Sequence, residues 1–216
     1  NNKVISLGGD HSVSYPLVKA LLNSKSKNHK IAVIHFDAHT DLLDKRFGVD
    51  INFGSWAYHI LSDLCDPSAL VQIGIRSTGK DRDTWESNLG VKQFWASEIE
   101  KVGLEKVIFQ IKEHLKALDI DALYFSVDID VLDKSEVSAT GTPEPNGLFV
   151  KDVCNIILSL GKEYEVLGAD LVEVAPMIGE MDENNTDDFL FDINNSEPQR
   201  TLDCGVKILN SLVGVM

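Results

Sequence analysis

Six short apolar runs, separated by longer stretches, constrain the fold of this 216-residue chain more than any other feature. The runs are rich in Val, Ile and aromatic residues, and they are almost continuously apolar rather than alternating between apolar and polar. Continuous runs of this kind are typical of parallel strands that are covered on both faces. The predicted strands are residues 4–7, 30–36, 70–75, 91–95, 122–127 and 165–174.

The stretches between these runs carry helical patterning. In residues 104–118 the apolar side chains recur at the spacing of one helix face, and Lys and Glu occupy the other face. The predicted helices are residues 14–22, 56–64, 104–118, 151–160 and 199–212. Because strands and helices alternate, right-handed crossovers predict a three-layer αβα sandwich with a mainly parallel sheet. At this length we expect residues 1–216 to form a single domain.

Composition and charge exclude several classes of partner. The chain is 44% hydrophobic, yet no apolar run approaches the roughly 20 residues that cross a bilayer. A formal charge of −14 disfavours nucleic acid and anionic membranes and favours a cationic substrate. The first residues lack a secretory signal pattern, so we expect a cytoplasmic protein. Three widely separated cysteines predict neither a disulfide framework nor a thiolate metal site.

Acidic and histidine side chains follow two of the predicted strands directly. Asp37, His39 and Asp41 come after the second strand, and Asp128 and Asp130 come at the end of the fifth. Ligands of open α/β sheets bind at the carboxyl ends of strands, where the chain leaves the core. Residues two apart on a strand point the same way, so both carboxylates of the second pair can face one pocket.

A third group follows the first strand, where Gly8 and Gly9 permit a tight turn that presents His11 at the same edge. Four carboxylates gathered there would repel one another by on the order of several kcal/mol unless cations neutralised them. An Asp at a strand end is more often a helix cap or turn residue, but three such groups together favour two divalent ions. Oxygen and imidazole ligands without thiolate suit manganese or magnesium. The predicted metal ligands are His11, Asp37, His39, Asp41, Asp128 and Asp130.

With these motifs, the chain resembles the ureohydrolase family, which includes arginase, agmatinase, guanidinobutyrase and formimidoylglutamase. The matching stretches are residues 8–12, 37–41, 126–130, 140–145 and 172–176. The resemblance implies an arginase-like fold, a centre of two Mn²⁺ ions on the six predicted ligands, and agmatinase-like hydrolysis of a C–N bond. The implied substrate is a small cationic guanidino compound, or a formimino compound, and the implied assembly is a homo-oligomer, a trimer or hexamer.

The resemblance also implies roles for individual residues. Glu173 resembles the acid that hydrogen-bonds the substrate guanidinium, and Thr142 lies in the loop that lines the pocket. Asp41 is placed to pass a proton to the departing amine. Phe53 stands where relatives commonly carry a proton-shuttling histidine. His59, further along, is either a catalytic replacement or a packing residue.

Several alternatives stay open. Family members usually have an additional N-terminal portion, so we expect a fragment, the product of a split gene, or a reduced variant. The chain is otherwise a hydrolase with an altered substrate, or a non-catalytic subunit, although retention of six ligands disfavours the latter. A metal-dependent deacetylase would need a catalytic histidine pair ahead of the first ligands, and the sequence carries none.

Three further interpretations concern residues outside the motifs. Arg76 either meets a substrate carboxylate or ligand acid at the catalytic edge, or pairs locally with Asp81 or Asp83. The tryptophans, Trp56 among them, are interpreted as packing residues. The acidic residues 177–196 are predicted to form a long loop.

Overall fold

The computed structural model describes residues 3–25, 29–178 and 196–216, so that nearly all of the predicted acidic loop lies outside the described residues. Its sheet has 6 strands in the order β1-β6-β5-β2-β3-β4, and every neighbouring pair is parallel. The strands are β1 (Val4–Leu7), β2 (Ile31–Phe36), β3 (Leu70–Ile75), β4 (Lys92–Trp95), β5 (Ala122–Asp128) and β6 (Glu165–Val172).

Helices follow every strand and cover both faces of the sheet. They are α1 (Ser14–Lys25), α2 (Trp56–Ile60), α3 (Arg82–Leu89), α4 (Ala96–Val102), α5 (Leu104–Ala117), α6 (Val150–Gly161) and α7 (Ser196–Val215). Right-handed crossovers put α1, α2 and α3 on one face and the later helices on the other, because the strand order reverses its direction after β4. The contacts of α1 with α2, and of α6 with α5 and α7, agree with this division. The predicted three-layer sandwich with a parallel sheet is confirmed.

The central strands are as buried as their continuous apolar sequences predict. Every residue of β2, β3 and β5 is buried. Phe36 and Phe125 lie side by side on β2 and β5, with ring centroids 6.3 Å apart. Within the described part of the chain, no helix has the length and apolar character needed to cross a membrane.

Helices α3 and α4 were not predicted from the sequence, for different physical reasons. Only Trp85 of α3 is buried, so no apolar stripe marks that helix. Its ends are fixed instead by the Asp81 carboxylate, which accepts the Thr84 N–H, and by Gly90 at φ 74°. Helix α4 begins directly after β4 without an intervening loop. The predicted helix at 56–64 was too long, because α2 passes into a short 3₁₀ helix at Leu61–Asp63.

Strand order also determines where a ligand can bind. The chain adds β2, β3 and β4 toward one edge, then returns to place β5 on the other side of β2. The connections leaving β2 and β5 therefore diverge, and a crevice opens between their carboxyl ends. This is the point at which the predicted acidic motifs leave the sheet.

Candidate metal centre

The side chains at the crevice come from four strand ends, and hydrogen bonds join β2 to β5 and β6 to β1. β2 and β5 are in register, with His35 opposite Ser126. The end of β6 is tied to the turn after β1, because the Glu173 N–H donates to the Gly9 carbonyl at 2.9 Å. Asp10 then caps the short 3₁₀ helix that begins at His11. The strand ends thus bring their side chains to one place.

The first cluster centres on the Nδ1 atom of His11. This nitrogen lies 3.2 Å from Oδ2 of Asp37, of Asp41 and of Asp128, and all four side chains are buried. Although the three oxygens are equally close, Nδ1 satisfies hydrogen-bond geometry with none of them. A histidine nitrogen enclosed by several carboxylate oxygens in this way is typical of a metal site.

The second cluster centres on Nδ1 of His39. It lies 3.0 Å from Asp130 Oδ2 and 3.2 Å from Asp37 Oδ1. Asp37 therefore contributes one oxygen to each cluster, as a carboxylate bridging two ions would. The His39 side chain is 26% exposed, whereas that of His11 is 1% exposed, so the second cluster faces the open side of the crevice.

Backbone groups orient the carboxylates of both clusters. Asp128 accepts the Asp130 N–H on Oδ1 at 2.8 Å, which leaves Oδ2 for the first cluster. Asp130 accepts the Ala38 N–H on Oδ1 at 3.0 Å, which leaves Oδ2 for the second. Asp41 has a left-handed backbone at φ 50°. Such a conformation costs a non-glycine residue free energy, and functional sites are a common place to find it.

The electrostatics of the protein groups alone show a strong need for positive charge. Burial raises the pKa of Asp41 and of Asp128 well above the usual range, and the neighbouring acids Asp37 and Asp130 respectively raise it further. Burial lowers the pKa of His39, but hydrogen bonding to Asp130 and Asp37 outweighs it and brings the pKa to about 11. Without cations, the raised pKa values of Asp41, Asp128 and His39 favour their protonated forms, which shows that the two clusters need positive charge. Nitrogen and oxygen donors without a thiolate fit hard or borderline divalent ions.

A buried hydrogen-bond chain fixes the tautomer of His11. The Ser126 hydroxyl donates to Asp170 Oδ1 at 2.8 Å, because a carboxylate only accepts. Ser126 Oγ must then accept a proton from His11 Nε2, which lies 2.9 Å away. The Tyr124 hydroxyl donates to the other oxygen of Asp170 at 2.7 Å. Because Nε2 keeps its proton, an ion that displaces the proton of Nδ1 would be bound by the Nδ1 lone pair in the first cluster.

A second chain orients Asp37. Gln72 Nε2 donates to His35 Nδ1 at 2.9 Å, so His35 carries its proton on Nε2 and donates it to Asp37 Oδ2, also at 2.9 Å. Gln93 in turn donates to Gln72 Oε1. His35 lies close enough to Asp37 and Asp41 to be grouped with a metal site, but both of its nitrogens are engaged in hydrogen bonds. We therefore assign it a supporting role and not that of a ligand.

A cavity of about 560 Å³ opens onto both clusters. This volume is typical of small-molecule sites. Thr142 lines it and donates to Asp130 Oδ2 at 3.2 Å. Glu173 also lines it, with Oε1 accepting the His11 N–H at 2.8 Å. A Cβ atom built on Gly141 would lie 3.6 Å from Glu173 Oε2, so the glycine leaves space beside that oxygen.

Comparison with known proteins agrees with this arrangement. A model described as the Arginase family matches residues 1–198. The chain belongs to the Arginase family. Its similarity to an agmatinase from Chromobacterium violaceum is 35% identity over 176 residues, which are 81% of this chain and 51% of that protein. The predicted resemblance to ureohydrolases is therefore confirmed.

Two further relatives extend the comparison within the Arginase family. A guanidinobutyrase from Pseudomonas aeruginosa is 33% identical over 80% of this chain and 53% of its own length. The solved structure of proclavaminate amidino hydrolase from Streptomyces clavuligerus has a TM-score of 0.74 and 28% identity, and it covers 100% of this chain and 66% of that one. The chain thus spans about half the length of the curated relatives it matches.

The structure brings all six predicted ligands of this family member together, along with Glu173 and Thr142. It does not bring His59 there. His59 Nε2 hydrogen-bonds the Asp44 carbonyl at 2.9 Å, its ring packs against Tyr15, and it is absent from the described residues that line the cavity. Helix α2 turns this side chain away, so the geometry favours packing over catalysis for His59.

Arg76 makes no ion pair with Asp81 or Asp83 among the described residues, but it contacts the backbone carbonyl of the predicted ligand Asp130 at 2.8 Å. Its guanidinium donates to the backbone carbonyls of six residues, Gly74, Asp130, Val131, Leu132, Glu144 and Pro145. The side chain therefore clamps the loop that follows β5. Trp56 is buried as predicted, but its indole N–H also donates to Asp41 Oδ2 at 2.9 Å.

Sequence reasoning missed the supporting residues Ser126, Asp170 and Gln72. Each is a polar side chain inside a buried strand. Burying such a group is costly unless it is hydrogen-bonded, so a lone polar residue in an apolar run is a signal of an internal network. Ser126, Asp170 and Gln72 all carry this signal in the sequence.

Proposed function

We propose that this chain carries the active site of a binuclear manganese hydrolase, which breaks a C–N bond of a guanidino compound and releases urea. The observation that carries the proposal is His11 Nδ1, which lies 3.2 Å from three carboxylate oxygens without satisfying hydrogen-bond geometry. The proposed ligands are His11, Asp37, His39, Asp41, Asp128 and Asp130. A formimino substrate would give formamide instead.

When bound, a pair of divalent ions supplies charge that lowers the pKa of water and stabilises developing negative charge. The protein groups do the rest. Glu173 Oε2, beside the gap left by Gly141, is proposed to accept hydrogen bonds from the substrate guanidinium. Burial raises the pKa of Glu173, and a guanidinium next to it would favour the ionised form.

Proton transfer to the departing amine is assigned to Asp41. Its Oδ2 accepts the Trp56 indole N–H, and the carboxyl lines the cavity. A carboxylate at this position can accept a proton from the attacking water and pass it to the departing amine. Thr142 is proposed to line the substrate pocket while it holds Asp130 in place.

The experiment combines metal content with turnover. Manganese-loaded protein is incubated with agmatine, 4-guanidinobutyrate, arginine and formimidoylglutamate, and urea or formamide is measured alongside bound metal by mass spectrometry. We expect two ions per chain and one productive substrate. Asp37→Asn should lose metal and turnover. Asp44→Asn, the same change at an exposed aspartate near the cavity, should retain both.

Two outcomes would replace the proposal. A chain that binds metal but converts no member of the panel would be the altered-substrate hydrolase, an alternative that Phe53 favours because it lines the cavity. A chain that binds no metal would be the non-catalytic subunit. Assembly as a trimer or hexamer and a cytoplasmic location stay predictions.

A further inference from the structure

One guanidinium, that of Arg46, lies in the wall of a cavity whose floor is formed by carboxylates. Arg46 and Phe53 both line the cavity. The Arg46 Cζ atom lies 4.7 Å from the centroid of the Phe53 ring and 5.1 Å from that of Phe47. A guanidinium stacked on aromatic faces keeps its in-plane N–H groups free for hydrogen bonding.

The backbone beneath Arg46 forms a tight turn. Arg46 and Val49 exchange two hydrogen bonds of 3.0 and 2.9 Å across Phe47 and Gly48, which have φ of 53° and 78°. Positive φ at both central residues defines a type I′ turn. The Asn52 side chain donates to the Val49 carbonyl at 2.9 Å and ties the turn to the following loop. The arginine is therefore presented from a defined loop.

The charge on Arg46 is not neutralised locally. Among the described residues, its guanidinium has neither an ion-pair partner within 4.0 Å nor a side-chain hydrogen bond. The exposed acid of the cavity wall, Asp10, is engaged differently. Its Oδ1 accepts both the backbone N–H and the hydroxyl of Ser12 as a helix cap. The cavity thus has an acidic floor and a free cation in its wall.

We propose that Arg46 binds a carboxylate at the end of the substrate remote from the guanidinium, so that this chain prefers a guanidino acid to a guanidino amine. The inference rests on the proposed function and adds a substrate class to it. A guanidinium fork matches both oxygens of a carboxylate. A terminal ammonium would instead meet a like charge at the same place.

The experiment compares three substrates in which a guanidinium carries a chain of four carbons. 4-Guanidinobutyrate ends in a carboxylate, whose carbon is the fourth of the chain, agmatine ends in an ammonium, and butylguanidine has no charge at that end. For the manganese-loaded wild type, we expect kcat/KM for 4-guanidinobutyrate to exceed that for butylguanidine by about tenfold, the value of one charge-assisted contact at a solvated site. Agmatine should rank below butylguanidine.

Arg46→Glu should reverse the order of 4-guanidinobutyrate and agmatine. Lys45→Glu is the matched control, because it makes the same charge change one residue earlier in a side chain that does not line the cavity among the described residues. It should leave the order of the three substrates unchanged. Calorimetric titration with 4-guanidinobutyrate should show about tenfold weaker binding to Arg46→Glu than to Lys45→Glu.

The results separate the two proposals. If butylguanidine is hydrolysed and the two variants show the same substrate order, the role of Arg46 is overturned and the proposed function stands. If the metal-loaded wild type hydrolyses none of the three and binds none in the calorimeter, both fall. A wild type that prefers agmatine to 4-guanidinobutyrate also overturns the role of Arg46.

Discussion

Replacing Ser126 by alanine tests whether the buried chain behind His11 sets the affinity of the metal centre. Ser126 is fully buried and connects His11 Nε2, at 2.9 Å, to Asp170 Oδ1, at 2.8 Å. The alanine leaves a buried N–H of His11 without its acceptor. Losing the hydrogen-bond partner of a ligating histidine typically costs 10- to 100-fold in metal affinity, or about 1.4–2.7 kcal/mol.

Tyr124→Phe is the control for this change. It removes another donor to Asp170, at 2.7 Å, but does not change the hydrogen bond to His11. Both variants should lower the free energy of unfolding of the metal-free protein, by about 1–3 kcal/mol each. Only Ser126→Ala should also weaken manganese binding beyond about twofold, which calorimetric titration measures. Equal manganese affinities for the two variants would refute the role assigned to the chain.

Three further predictions follow from the geometry. His59→Ala should keep kcat within about twofold of the wild-type value, because His59 Nε2 contacts the Asp44 carbonyl outside the cavity. A tenfold loss of kcat in the urea assay would restore the catalytic interpretation. Manganese affinity should rise with pH, because burial and like charges raise the pKa of Asp41 and Asp128, and each ion must displace their protons. The protons released are measured by calorimetric titration in buffers of different ionisation enthalpy, and binding heats that do not vary between these buffers would contradict the prediction. Gly147→Ala should lower the free energy of unfolding, measured by urea denaturation, by about 2 kcal/mol or more, because the new Cβ would lie 2.5 Å from the Asp133 backbone nitrogen. Gly214→Ala is the control and should not lower it, because a Cβ there would have no neighbour within 4 Å.

The convergence of the six proposed ligands could be predicted from the sequence because each stands within a few residues of a strand end. Asp37 and Asp128 directly follow apolar runs that are recognisable as buried strands, and the parallel pairing of β2 with β5 brings the ends of these strands together. The supporting atoms are joined over long separations instead. Ser126 meets His11 across 115 residues, and Arg46 reaches the cavity only through a turn with two positive φ values. Such contacts depend on tertiary geometry that local patterns do not encode.

Strand β1 pairs with only one neighbour among the described strands, and its Val4 and Leu7 side chains are 59% and 66% exposed. The turn after β1 nevertheless carries His11, which is more buried than His39, the histidine of the second cluster. An ion bound by His11 and by the acids at the ends of β2 and β5 would link the edge strand β1 to the two central strands. Chelation should accordingly loosen the start of the chain before the centre, with faster amide exchange in β1 than in β5.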